Sequence, residues 1–189
     1  MCRVCSSGCS SRWHGIDPCY VFHVGNAHED ADGDVVLDAV RYRDADVAGL
    51  WRTIGGDSGV AERITGGTLH RWTLGDAVKE EQLDDRIVEF PTINDLLTGR
   101  EARYRYTVTG DAVVKYDLDT GGSLAAAVGG RAGEAVYVPR GDEEDDGWLL
   151  SINAESLLVH DARDLRQVAA VRLPRRVPAG FHGTWLPDE

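Results

Sequence analysis

The chain has 189 residues, of which 42% are hydrophobic and 28% are charged, and its formal net charge at pH 7 is −12. This composition is typical of a globular protein and excludes a disordered chain, and no run of about 18 apolar residues predicts a transmembrane helix. The acidic balance argues against a nucleic-acid partner and against electrostatic docking on anionic lipid, because both require clustered Lys and Arg.

The N-terminal segment, MCRVCSSGCSS, is rich in Cys, Ser and Gly and carries almost no hydrophobic pattern. Cys2 and Cys5 form a C-x-x-C pair with Cys9 close by, but the second pair or the histidines of a strong zinc signature are missing. We therefore predict an unstructured tail over residues 1–11. Because no cysteine follows Cys19, we also expect a reducing, cytoplasmic location without a disulfide framework.

The rest of the chain is dominated by short β-strand patterns that Gly, Asp and Asn turns separate. The predicted strands are 19–24, 34–42, 67–74, 103–109, 112–117, 134–139, 147–153, 155–160 and 167–173. Helical periodicity is weak, with one turn predicted in 93–99 and a short helix in 44–56. The sequence therefore predicts an all-β protein.

Three stretches repeat the order strand, Asp-containing turn, strand. They are LHRWTLGDAVKEEQL (69–83), VVKYDLDTGGSLAAAV (113–128) and LLVHDARDLRQVAAVRL (157–173). Recurring hairpins of this kind are typical of β-propeller blades, and at about 45 residues per blade the chain holds roughly four. A sandwich or a barrel is also consistent with this pattern.

His23 is the unusual residue of the first predicted strand, because it lies between Phe22 and Val24. A buried imidazole needs partners for its ring nitrogens. Two interpretations are open from the strand alone. His23 is either a core histidine bonded to a backbone carbonyl or a metal ligand.

Four separated motifs, taken in order, decide between these interpretations. They are CYVFHVGNAHED (19–30), IVEFPTIN (87–94), GEAVYVPRGDEEDDGWLLS (133–151) and LPRRVPAGFHGTW (173–185). In order and spacing they resemble the C-terminal half of the carotenoid cleavage oxygenases, a family that includes apocarotenoid and stilbene dioxygenases. The resemblance covers residues 12–189, which we therefore predict to be the C-terminal part of a propeller domain.

The resemblance implies a seven-bladed propeller with a non-haem Fe(II) on its axis, held by four histidines and supported by three glutamates. Such an enzyme uses O2 to cleave a conjugated C=C bond of an apolar polyene, such as a carotenoid or apocarotenoid, or of a stilbene. His23 and His182 match the third and fourth iron ligands. Glu89 and Glu134 match two glutamates that bond to ligand histidines, a pairing that fixes the tautomer of the imidazole.

The resemblance also implies what this sequence lacks. The family's first two histidine ligands, its third glutamate and its first blades belong N-terminal to the matching region. The remaining histidines match no ligand motif: we expect His28 to be solvated, and His70 and His160 to be at the surface or half-buried. We likewise expect the acidic stretch DEEDDG (142–147) to be a solvated turn.

Three functional hypotheses follow. The first is an iron-dependent dioxygenase, for which analogy with relatives that take up lipophilic substrates suggests a location peripheral to a membrane. The second is a truncated, catalytically inactive fragment that pairs with a missing N-terminal half. The third is a non-enzymatic propeller that serves as a binding module. Five aromatic residues are candidates for lining a substrate tunnel, although packing is their commoner role: Phe22, Phe90, Trp148, Phe181 and Trp185.

Overall fold

The computed structural model describes residues 12–43, 47, 66–178, 180 and 182–187. In chain order the elements are β1 (Cys19–Glu29), β2 (Val35–Arg43), β3 (Thr68–Leu74), β4 (Val78–Gln82), β5 (Glu89–Thr92), a 3-10 turn (Asp95–Leu97), β6 (Tyr104–Val108), β7 (Ala112–Asp117), β8 (Gly122–Ala127), β9 (Val136–Pro139), β10 (Gly147–Ile152), β11 (Ser156–Asp161) and β12 (Gln167–Arg172). The predicted all-β class is confirmed.

Each of the nine predicted strands corresponds to an observed one. β4 and β8 are the second strands of the repeated strand–turn–strand units, whereas β5 was not predicted because it is short and contains Pro91. The predicted turn in 93–99 is present, and the Asn94 side chain caps it by accepting a hydrogen bond from the Leu96 N–H. Apart from Val47, the helix predicted at 44–56 lies outside the described residues. No helix in the described part is long and apolar enough to cross a membrane.

The described strands form three antiparallel four-stranded sheets, β1–β4, β5–β8 and β9–β12, each connected in sequence order. β1 and β5 contact each other across sheets, whereas β8 and β12 are almost entirely exposed. The first strand of a sheet is thus the inner one and the last strand is the outer one, as in the blades of a β-propeller. The predicted propeller architecture is confirmed, with three complete blades in the described residues.

Neighbouring sheets pack face to face through two apolar clusters. The cluster between the first and second sheets is Val40, Tyr42, Leu69, Val88, Val114 and Tyr116. The cluster between the second and third sheets is Tyr106, Val108, Val113, Val128, Ala132, Ala135, Tyr137, Leu149, Leu158, Ala162 and Leu165. The alternation of β2, β7 and β11 supplies these faces, because side chains two residues apart point to the same side of a strand.

A buried ion pair also joins the first two sheets. The Arg105 side chain on β6 is 0% exposed, the Asp38 side chain on β2 is 1% exposed, and Arg105 Nη2 donates to Asp38 Oδ2 at 2.7 Å. Arg71 on β3 donates to both oxygens of the same carboxylate. Burial lowers the pKa of Arg105 and the attraction of Asp38 opposes that shift. Since a buried charge is costly without its partner, this pair fixes how the two sheets meet.

The acidic stretch DEEDDG forms the expected turn and exposes Asp142 and Glu143, but its last three carboxylates are partly buried and paired, so the expectation of a solvated turn was wrong for them. Glu144 accepts hydrogen bonds from the backbone N–H groups of Arg103 and Tyr104. Asp145 binds the buried ammonium of Lys115 at 2.7 Å, and Asp146 pairs with Arg140. The carboxylates tie the β9–β10 loop to the second sheet, because this loop faces backbone donors and cations that only the folded chain brings near it.

The expectations for three histidines were also wrong. His70 is 6% exposed and His160 is 1% exposed, and His28 belongs to β1 and is buried as well. β3 and β11 are interior strands of their sheets, so a histidine on a covered face is removed from water whatever its polarity. Burial lowers the pKa of both His70 and His160, which favours their neutral forms.

Candidate metal centre

The four residues singled out by sequence come together at the inner strands. His23 lies in the middle of β1, and Glu89 is the first residue of β5. Glu134 precedes β9, and His182 lies beyond the end of β12. Residues far apart in sequence meet because each sheet presents its first strand to the same side of the molecule.

A local irregularity of β1 directs His23. The pairing of β1 with β2 shifts register between Val21 and Val24 and again between Val24 and Asn26, so that β1 carries two bulges around His23. Bulges bend a strand and re-aim its side chains. Gly25 lies within this region, and a Cβ there would come within 3.1 Å of the Pro91 side chain. The glycine therefore lets β1 approach β5 closely enough for His23 to reach Glu89.

Asn26 holds the bulged strand against the second sheet. Its side-chain amide donates to the Arg100 carbonyl at 2.8 Å, and its oxygen accepts from the Gly99 N–H at 3.1 Å. Asn26 is buried, and both ends of its amide are satisfied. The inner strand is thus anchored three residues from His23.

His23 and Glu89 form the first arm of the site. His23 Nδ1 lies 2.6 Å from Glu89 Oε2, which also accepts the Phe90 N–H at 2.6 Å. The other oxygen, Oε1, accepts the Tyr42 hydroxyl at 2.6 Å. Burial, reinforced by Glu89, raises the pKa of Tyr42 well above its ordinary value, so the hydroxyl remains a donor. The Glu89 carboxylate therefore accepts hydrogen bonds from three strands: from His23 on β1, from Tyr42 on β2 and from Phe90 on β5.

His182 and Glu134 form the second arm. His182 Nδ1 lies 3.2 Å from Glu134 Oε1, and the Gly183 N–H donates to Glu134 Oε2 at 2.7 Å. The His182 side chain is 56% exposed, whereas the side chain of Glu134 is only 13% exposed. The Glu134 carboxylate is therefore the less exposed part of this arm. It accepts hydrogen bonds from both the His182 ring and the Gly183 N–H.

The two arms meet through their outer ring nitrogens. His23 Nε2 and His182 Nε2 are 3.1 Å apart. Carboxylates accept only, so each Nδ1 that contacts one carries a proton, and the Nε2 of a neutral imidazole is then an unprotonated acceptor. Two neutral rings of this tautomer bring two lone pairs together, so a contact of 3.1 Å requires either a proton shared between the nitrogens or a cation bound to both. The two Nε2 atoms are therefore directed at the same point between the arms.

Phe90 packs against both histidines from the side of the second sheet. Its ring centroid lies 5.1 Å from that of His23 and 5.6 Å from that of His182. Its φ of +53° is in the left-handed region, which is unfavourable for a bulky residue. The same bend of β5 sends the Phe90 N–H back to the Glu89 carboxylate. Phe90 thus helps to keep the two rings in place.

An open cleft adjoins the second arm. It has a volume of about 490 Å³ and lies between the third sheet and the C-terminal segment, which comprises the described residues 173–178, 180 and 182–187. Glu134 and His182 line it together with apolar residues, among them Val136, Leu157 and Trp185. The second arm therefore borders an open apolar space, which the first arm does not.

The candidate set from the sequence is thus brought together, but one contributor was missed. The missed residue is Tyr42, which donates a hydrogen bond to Glu89. The sequence indicated only that Tyr42 shares one face of β2 with Asp38 and Val40. Of the candidate tunnel residues, Phe22 packs against Tyr42 and Trp148 lies beneath the Arg140 guanidinium. Phe181 lies outside the described residues. The described His, Cys, Asp and Glu side chains include no group of three or more that could hold a metal ion.

Comparison with known proteins gives concordant matches. The family model described as retinal pigment epithelial membrane protein (RPE65) matches residues 2–187. A carotenoid cleavage oxygenase of Mycobacterium tuberculosis is 38% identical over 208 residues, which cover 93% of this chain and 39% of that protein. An apocarotenoid-15,15'-oxygenase of Synechocystis sp. is 32% identical over 193 residues, covering 88% of this chain and 38% of that protein.

Solved structures show the same relationship. The crystal structure of cobalt-substituted Synechocystis ACO superimposes with a TM-score of 0.83 at 26% identity, over 96% of this chain and 42% of that one. The chain therefore spans about two fifths of the length of these relatives. The prediction that residues 1–11 form a tail outside the propeller stays a prediction, since the structure describes none of them.

Proposed function

This chain belongs to the carotenoid cleavage oxygenase family, and from that premise we propose that it contributes half of the iron site of an Fe(II)-dependent dioxygenase. The proposed reaction cleaves a conjugated C=C bond of a carotenoid or apocarotenoid with O2. The names of the M. tuberculosis and Synechocystis relatives support this substrate class. A stilbene-type substrate is the alternative that an assay must separate.

One observation carries the metal proposal. His23 Nε2 and His182 Nε2 lie 3.1 Å apart while both Nδ1 atoms face carboxylates. Metal–imidazole bonds of first-row cations are about 2.1 Å long, so two such ligands at a right angle place their nitrogens about 3 Å apart. The donor set also suits Fe(II), which accepts neutral imidazole nitrogen. That a relative has been crystallised in a cobalt-substituted form is consistent with a metal site.

The residues of this chain have separate tasks in the proposed site. His23 and His182 hold the metal, and Glu89 and Glu134 keep the Nδ1 protons in place so that both Nε2 atoms remain free to bind. When bound, iron supplies the activation of O2 for C=C cleavage. Phe90 covers one side of the two rings and limits the access of water there.

We propose that the remaining ligands come from a segment outside this sequence, either on the same polypeptide or on a separate N-terminal half. The two histidines leave coordination positions to be filled, and the second arm borders an open apolar cleft. The adjoining face of the third sheet presents Ile152 and Val171, which are 39% and 54% exposed. An apolar face beside an incomplete site is a suitable place for the ligand-bearing segment to pack.

The metal proposal is tested by anaerobic titration of the chain with Fe(II), and with Co(II) as a spectroscopic probe. We expect one cation per chain, with binding abolished in His23→Ala and in His182→Ala. His14→Ala is the matched control, because His14 contacts neither arm, and it should bind like the wild type. Cation binding that survives both substitutions would contradict the proposed site.

A cleavage assay then tests the activity. Fe(II), O2 and either an apocarotenoid or a stilbene are supplied, and the carbonyl products are measured. Products that disappear in His23→Ala support the dioxygenase and identify the substrate class. Cation binding without turnover would instead favour the inactive fragment or the binding module, and adding an N-terminal half from a relative would distinguish these two.

For location we propose the cytoplasm, with peripheral contact to a membrane that supplies the apolar substrate. The proposal is supported by Cys19, whose thiol has no disulfide partner among the described residues. Fractionation of cells that express the chain tests it. Recovery in an oxidising, secreted fraction would contradict the proposal.

A further inference from the structure

The Glu89 carboxylate distributes its hydrogen bonds unevenly between its oxygens. Oε2 accepts two donors, His23 Nδ1–H and the Phe90 N–H. Oε1 accepts the hydroxyl of Tyr42 at 2.6 Å. The bond from Tyr42 therefore determines which oxygen is turned towards the histidine. Without it, a partly buried charged oxygen would have to find another donor by rotating the carboxylate.

Tyr42 is itself held rigidly enough to serve as this anchor. It is 5% exposed, within the cluster between the first two sheets, and its ring meets that of Phe22 edge-on at 5.2 Å. Gly67 lies directly over the ring, since a Cβ at Gly67 would come within 2.8 Å of Tyr42 Cε2. Packing thus fixes the position of the Tyr42 hydroxyl, and its hydrogen bond to Oε1 fixes the orientation of the Glu89 carboxylate.

We propose that Tyr42 is a positioning residue of the metal centre. By fixing Glu89 it keeps the proton of His23 on Nδ1 and turns Nε2 towards His182. This inference rests on the proposed metal site and extends it to a residue that contacts neither the metal nor the substrate.

The chain offers a matched control in Tyr116. Tyr116 belongs to the same apolar cluster, is 4% exposed, and donates its hydroxyl to a carboxylate oxygen of Asp84 at 2.7 Å. Tyr42→Phe and Tyr116→Phe therefore remove the same group, from similar burial and with the same kind of partner. Only Tyr42 is connected to a metal-binding histidine.

The first measurement uses the metal-free protein. Nitrogen-15 NMR of the histidine side chains at pH 8 reports which ring nitrogen carries the proton. We expect His23 to be protonated on Nδ1 in the wild type and in Tyr116→Phe, and to become a mixture of both tautomers in Tyr42→Phe. An unchanged His23 tautomer in Tyr42→Phe would overturn the inference.

The second measurement is Co(II) affinity. Loss of a partner behind a ligand histidine typically weakens binding 10- to 100-fold, and a residue one step further away should lie at the lower end. We expect about a tenfold loss in Tyr42→Phe and none in Tyr116→Phe. Equal losses in the two variants would reveal a general effect of destabilisation and would overturn the inference.

Two further outcomes keep the proposals separable. If Tyr42→Phe changes the His23 tautomer but the wild type binds no cation, the metal proposal fails and the positioning role stands. If Tyr42→Phe does not fold, the wild type is examined instead. Its Tyr42 hydroxyl proton should exchange slowly and show a nuclear Overhauser contact to Glu89, and fast exchange without that contact would overturn the inference.

Discussion

The two arms of the candidate metal centre have the same histidine–carboxylate contact, but different parts of the fold hold them. In the first arm, His23 is 24% exposed and Glu89 is 21% exposed, and the pair is enclosed by β1, β2 and β5. In the second arm, His182 is 56% exposed and lies on a segment beyond the last strand. In both arms the histidine contacts a carboxylate through Nδ1 and directs Nε2 towards the other histidine. The arms therefore differ in how firmly the surrounding structure holds the histidine.

This difference indicates how the site is built. The first arm depends on two sheets meeting correctly, because His23 and Glu89 come from different sheets. The second arm depends on Glu134, whose side chain is partly buried and accepts hydrogen bonds from the more exposed His182 and from the Gly183 N–H. The first arm should therefore be sensitive to the packing of the sheets, and the second to the contacts of the C-terminal segment.

The largest expected effect comes from weakening the junction of the first two sheets, on which the first arm depends. Arg105→Met removes the partner of Asp38 in the second sheet and leaves Arg71 as its remaining cation. Removing one member of a buried ion pair typically costs about 3–5 kcal/mol of unfolding free energy, and we expect a loss near the lower end because Arg71 remains. Urea denaturation measures the loss, and NMR of His23 and His182 shows which arm is disturbed. We expect the His23 signals to change more than those of His182.

The control for that experiment is Arg103, which lies two residues before Arg105 and directly precedes β6. Arg103 pairs with Asp117 at 2.6 Å, but its side chain is 42% exposed. Arg103→Met should lose far less stability, because water and salt already weaken an exposed pair. If both variants were equally destabilised, the buried pair would not be what joins the first two sheets.

A second, smaller effect compares the arms through their carboxylates. Glu89→Gln cannot accept from Tyr42, Phe90 and His23 in the same geometry, so we expect a 10- to 100-fold loss of Co(II) affinity. Glu134→Gln should lose less, because the His182 contact is 3.2 Å long and water can reach that ring. Parallel titrations test this order, and a larger loss in Glu134→Gln would reverse our view of which arm is the firmer.

The smallest expected effect is a pH dependence of the unfolding free energy that arises from His160 in the third sheet. Burial lowers the pKa of His160, and neither of its ring nitrogens has a hydrogen-bond partner in the described structure. The unfolded chain therefore binds more protons as the pH falls through about 6.5, and the stability that the neutral ring retains above that pH is progressively lost. Between pH 7.5 and 5.5 the unfolding free energy should fall.

His160→Leu should reduce that fall without abolishing it, since it removes one of the two histidines, with His70, whose pKa is lowered by burial. Gln167 is the register partner of His160 and is exposed, so Gln167→Leu is the matched control and should keep the wild-type difference. Urea unfolding at the two pH values measures both. A pH dependence that is the same in His160→Leu and in the wild type would show that His160 does not contribute to it.

Much of the fold could be predicted because period-two patterns and Asp/Gly turns are local signals. They identified nine strands, and the repeated units indicated two more. β5 escaped because four residues with a proline do not look like an inner strand. The burial of His70 and His160 also escaped, because the strand pattern does not say which of its faces another sheet covers.

For the candidate site, the sequence predicted which residues take part but not the contacts between them. The motifs around His23, Glu89, Glu134 and His182 pointed to residues that the fold brings together, whereas their roles come from the resemblance and stay predictions. Nothing local indicated that Tyr42 contacts Glu89, because 47 positions separate them. The acidic loop was misjudged for the same reason, since Lys115 and the donors of β6 are distant in sequence.

By itself, the sequence determined the family of this chain, its all-β class and the four polar residues of the site, because those properties are carried by local patterns and motifs. The tertiary structure decided that two carboxylates fix two imidazoles, that their Nε2 atoms stand 3.1 Å apart, and that Tyr42 supports one of them. Those features depend on the distances between separate sheets, which packing sets and which no local pattern encodes.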